Sequence, residues 1–100
     1  MHMVVSVKEY KNGVQVAADS VEGIEKFDIM SENCPNFLDY VYEYWGGKCF
    51  ASEVERIAND FVEDMDEDLG NLFEAGAPEY ILMQPVMNFI DAKALVSRLF

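Results

Sequence analysis

A chain of 100 residues with 51% apolar side chains has room for one domain and enough material for its core. Nineteen acidic residues against seven basic ones leave a net charge of −12. That balance argues against direct contact with nucleic acid or an anionic membrane, since both need clustered Lys and Arg. No apolar run reaches the roughly 18 residues of a membrane span, and no cationic leader precedes an apolar stretch, so a cytoplasmic protein is expected. Residues 1–100 show no linker, repeat or low-complexity tract, and read as a single compact domain. Met1-His2 reads as an addition ahead of a start at Met3. Setting His2 aside leaves no histidine, which removes most acid–base chemistry near neutral pH.

The first predicted element is a β-hairpin. Val4 to Tyr10 and Val14-Gln15-Val16 flank Asn12-Gly13, a pair that tolerates positive φ and favours a two-residue turn. That turn sets Val7 opposite Ala18, Glu9 opposite Val16 and Lys11 opposite Val14, with Val5, Val7, Val14, Val16 and Ala18 on one face. Asp19 to Gly23 reads as a turn. Glu25 to Met30 alternates, with Phe27 and Ile29 against Lys26 and Asp28, and predicts a third antiparallel strand.

Helical spacing follows. Pro35 suits the first helical position, with Cys34 as N-cap, Phe37, Leu38, Val41 and Trp45 as the buried stripe, and Gly46-Gly47 as the stop. A second helix is predicted from Ser52, with Glu55 completing a capping box. Its apolar face, Val54, Ile57, Ala58, Phe61, Val62 and Met65, should lie on the sheet. Leu69 to Ile90 is ambiguous: Gly70, Gly76, Pro78 and Pro85 interrupt it, and Tyr80 to Gln84 could form a short strand. Asp91 to Leu99 reads as a short final helix. The expected fold is therefore α+β, a small antiparallel sheet against about three helices.

Catalytic signatures are sparse. Cys34 and Cys49 have no native imidazole beside them, and no nucleophile elbow, Walker A loop, dinucleotide fingerprint or zinc ligand set occurs. A helix between the two cysteines should keep them apart as free thiols. Carboxylate pairs of the kind glycosidases use are too common among nineteen acids to mean anything. Asp64 to Glu74 resembles the start of a calcium-binding loop, with Asp64, Asp66 and Asp68 as candidate ligands. However, the loop's required Gly and its closing Glu are both out of register. No cofactor is expected.

What stands out is acidity. The first fifty residues hold eight acids and four bases, the second fifty eleven and three. Asp60 to Asp68 is six-ninths acidic, and is expected at a helix C-terminus, where the macrodipole favours cations. Such charge can simply keep a domain in solution. It can also imitate nucleic acid, since twelve charges match about 20 Å of duplex. The expectation is a small non-enzymatic inhibitor or regulator of a protein with a basic surface, such as a nucleic-acid-binding enzyme. Small phage and mobile-element inhibitors of restriction or CRISPR nucleases offer an analogy of size and charge. Candidate contacts are Asp60, Glu63, Asp64, Asp66, Glu67 and Asp68, with Asp39, Tyr40, Glu43 and Tyr44 from the preceding helix. The alternatives are an antitoxin or immunity-type partner, or a small calcium-responsive domain. The apolar residues between 80 and 89 are a candidate homodimer patch.

Overall fold

The computed structural model describes residues 5–100. The reading of residues 1–2 as an addition, and the start of the first strand at Val4, lie outside them. The chain runs β1 (Val7–Glu9), a 3-10 turn at Lys11–Gly13, β2 (Gln15–Ala17), α1 (Val21–Asn33), α2 (Phe37–Tyr44), β3 (Lys48–Phe50), a 3-10 turn at Ala51–Glu53, α3 (Val54–Glu74) and α4 (Glu79–Leu99). The described part is 72% helical and 9% strand. The expected antiparallel sheet with three helices is thus corrected, among the described residues, to four helices and a three-stranded mixed sheet in the order β1-β2-β3.

The hairpin forms, but its register differs from expectation by one residue. Val7 lies opposite Ala17, Lys8 opposite Val16 and Glu9 opposite Gln15. The cause is the turn: the Tyr10 N–H donates to the Val14 carbonyl at 2.8 Å, so three residues close the loop, with Asn12 and Gly13 both at positive φ. A one-residue slip sends each side chain on the shifted strand to the other face. Val7 is accordingly exposed, while Val14 and Val16 are fully buried. Lys8 and Tyr10 instead share the inner face and reach Asp28 on α1, with Lys8 Nζ 2.7 Å from Asp28 Oδ1 and the Tyr10 hydroxyl donating to the same oxygen.

Glu25 to Met30 is helix rather than strand. The buried residues of α1 are Gly23, Phe27 and Met30, with Cys34 just beyond its end, and their spacing of four, three and four is helical. Ser20 caps the helix, its hydroxyl accepting from the Gly23 N–H at 3.0 Å. The third strand is β3, which pairs with β2 in parallel, Val16 opposite Cys49. A parallel neighbour needs a long crossover, and α1 with α2 supplies it.

Two caps also move. Cys34 ends α1, its N–H donating to the Met30 carbonyl, and α2 begins at Phe37 after Asn36. Ser52 caps nothing with its own oxygen. Its N–H and hydroxyl both donate to Asp19, at 2.9 and 2.6 Å, tying the end of β2 to the entry of α3.

The apolar face of α3 is as expected in membership: Val54, Ile57, Ala58 and Phe61 are buried, and Val62 and Met65 are partly buried. It packs on α1, α2 and α4 rather than on the sheet. An edge-to-face series from Phe27 through Phe37 to Phe61 runs across the core, with ring centroids 5.1 and 5.3 Å apart. The ambiguous segment resolves into the end of α3, a turn with Gly76 at positive φ, and a continuous 21-residue α4 that contains Pro85. No strand forms at Tyr80–Gln84. The two long helices make a hairpin that stretches the molecule to 57 × 25 × 18 Å. Among the described residues, no helix is long and apolar enough to cross a membrane.

Candidate acidic interface

Asp60 to Asp68 lies mid-helix, with α3 continuing to Glu74. The expected position at a helix C-terminus, and the dipole argument drawn from it, are therefore corrected. At 100° per residue, Asp60, Asp64, Glu67 and Asp68 form one stripe beside the buried face, Glu63 points further outward, and Asp66 lies on the opposite flank.

The stripe borders α2. Tyr44 is 59% exposed, and its hydroxyl pKa is raised by the charges of Asp64 and Glu43, then slight burial, then Asp68 and Glu67. The Asp64 carboxyl is also raised, by burial first and then by Asp68, Glu67 and Glu43. Glu43 and Tyr44 of α2 thus lie close enough to Asp64, Glu67 and Asp68 of α3 for their charges to act on one another. Asp60 adjoins it through Tyr40, whose pKa is raised by burial, against the Trp45 indole, and further by Asp60 and Asp64.

Other predicted contacts fall elsewhere. Tyr40 is only 9% exposed. It packs at 5.4 Å from Phe61 and 5.0 Å from Tyr44, so it supports Tyr44 from the core instead of meeting a partner. Asp39 faces the hairpin turn, accepting from Asn12 Nδ2 at 2.7 Å. Asp66 is exposed but stands away from the patch.

Among the described residues, no basic side chain pairs with any carboxylate of Asp60–Asp68; the single ion pair joins Lys8 to Asp28. Six like-charge pairs at helical spacing (60/64, 63/67, 64/68, 60/63, 63/66 and 64/67) each cost roughly 0.2–0.5 kcal/mol. Arg56, the nearest base in sequence, lies over the Trp45 ring at 5.4 Å.

The calcium reading needed a loop at Asp64–Asp68. The segment is helical, so its alternate carboxylates diverge instead of converging. Among the described residues no three His, Cys, Asp or Glu side chains are grouped to hold a metal ion. Both cysteines are free and buried. Burial, then Asp91, raises the Cys34 thiol pKa, and burial, then Glu53, pushes Cys49 up to about 11. Thiols so placed stay protonated near neutral pH and are poor nucleophiles.

Sequence reasoning missed the cluster of Lys8, Tyr10 and Asp28, and the Asp19–Ser52 clamp. The first depended on the hairpin register. The second joins residues 33 apart and has no local signal. No family model, no curated protein and no solved structure matches this chain.

Proposed function

We propose that this protein is a non-catalytic binding protein of the cytoplasm that occupies the basic, nucleic-acid-binding groove of an enzyme or complex. The observation that carries the reading is the patch of Glu43, Tyr44, Asp64, Glu67 and Asp68, which lacks counter-charges among the described residues. The stripe of Asp60, Asp64, Glu67 and Asp68 rises about 12 Å along α3 and carries four carboxylates, or one per ~3 Å. One strand of duplex DNA carries one charge per ~3.4 Å. A regular, folded helix presents this density without the ordering cost that a flexible acidic tail would incur. Tyr44 supplies an amphipathic anchor beside the charges.

The test is capture from a lysate of the native host with the wild-type chain and with a variant carrying Glu63→Gln, Asp64→Asn, Glu67→Gln and Asp68→Asn. The wild type should retain a nucleic-acid-binding enzyme that duplex DNA displaces, and the variant should lose it. Equal retention by the variant, or a captured protein indifferent to DNA, contradicts the reading.

A further inference from the structure

The helix α4 is apolar on two faces, and only one of them is used. Toward the molecule it presents Ala92, Leu95 and Val96, all buried. On the opposite side stand Tyr80, Met83, Met87 and Ile90, which are 77%, 62%, 51% and 51% exposed, followed by exposed Ala94 and Ser97. Their spacing is three, four, three, four, three, the alternation of a coiled-coil seam. An amphipathic helix docked on its own domain needs one apolar stripe, and a second stripe directly opposite calls for a second helix.

We infer that this face of α4 binds the same face of α4 in a second copy of the chain, as an antiparallel pair. Three observations favour a second copy as the occupant. From Tyr80 to Ile90 the sequence has no charged residue. The acidic stripe, by contrast, lies on α3 beside α2. Two chains of charge −12 can therefore meet here with their densest charges apart.

The flanks of the seam also match in one orientation. Setting Met83 against Met87′ about a two-fold axis places Tyr80 on Ile90′ and brings Glu79 beside Lys93′, twice by symmetry. A parallel pair would instead set Lys93 against Arg98′.

Area is the third point. Taking roughly 200 Å² for a large side chain, the four seam residues expose about 500 Å². That is close to the non-polar share of a standard interface, which buries about 800 Å² per partner.

Sedimentation equilibrium of the full chain tests this. At roughly 100 µM the wild type should have twice the 11.4 kDa of one chain. Met83→Glu with Met87→Glu should raise the dimer dissociation constant at least about a hundredfold while helical content and the urea midpoint of the monomer stay unchanged. Lys93→Glu should weaken the dimer about fivefold or more, and adding Glu79→Lys should restore it. A monomeric wild type, or a dimer that survives the double glutamate variant, overturns the inference. Failure of the charge swap to restore affinity overturns the antiparallel pairing.

Discussion

A Cβ built on Gly23 would lie 2.2 Å from the carbonyl oxygen of Ala51. The first turn of α1 and the 3-10 turn that leads into α3 therefore touch backbone to backbone. Neither wall is a flexible side chain that could swing aside, so Gly23→Ala must push α1 off the sheet–helix junction. The expected loss is about 2–3 kcal/mol, at the upper end for overpacking, read as a lower urea midpoint. An unchanged midpoint would mean that the two turns separate freely.

Gly70 is the opposite case. It sits inside α3, where an added Cβ would meet nothing within 4 Å. Gly70→Ala should stabilise the protein by roughly 0.5–1 kcal/mol by removing chain entropy from the unfolded state. The same measurement checks it.

Acid should act on two aspartates in sequence. Asp64 has a raised pKa, so its ionised form costs stability at neutral pH, and that cost disappears as pH falls through its pKa to the ordinary value near 3.8. Asp28 has a lowered pKa: burial works against ionisation, but Lys8 and the Tyr10 hydroxyl outweigh it. Its contribution is complete above pH 3.8 and is lost as pH falls through the lower folded value. Asp64→Asn should therefore gain about 0.5–1.5 kcal/mol at pH 7 from relief of its like-charge neighbours, and nothing below pH 3.8. Asp28→Asn should lose stability at pH 7, and the loss should fade only in stronger acid. Urea titrations at a series of pH values follow both.

Much of α2 and the first turns of α3 were legible because each has one apolar stripe, and Gly46-Gly47 stop α2. The end of α3 was not, because Gly70 reads as a break yet lies inside the helix. The α1 helix was misread because Phe27 and Ile29 alternate with Lys26 and Asp28, while the helical signal runs through Gly23, a residue with no side chain to announce its burial. The hairpin was visible at Asn12-Gly13, yet the number of residues in its turn is decided by packing: Tyr10 stacks at 4.8 Å on Phe27, a contact 17 residues away. In α4 two apolar faces blur the helical period, and Pro78 and Pro85 suggest breaks where only Pro78 marks one. The acidic stripe was legible as density. Its place mid-helix and its meeting with Glu43 and Tyr44 were tertiary facts.

Tyr44 is the one aromatic in the acidic patch with most of its surface open. Tyr44→Ala should weaken partner binding by about 2 kcal/mol, as an interface anchor does, and leave the urea midpoint nearly unchanged. Tyr40→Ala should instead unfold part of the core, because its ring is buried against Phe61. A binding loss for Tyr44→Ala matched by an equal stability loss would assign Tyr44 to the core as well.

The most direct test of the acidic-interface account is the rate of association with the captured enzyme, measured by stopped flow between about 50 and 500 mM salt, over which the Debye length falls from roughly 14 to 4 Å. For the wild type the association rate should fall at least tenfold across this range, with dissociation changing far less. The variant with Glu63, Asp64, Glu67 and Asp68 neutralised should start slow and vary little. Equal, salt-independent association of both proteins would contradict the account, and leave the charge of α3 with no part in binding.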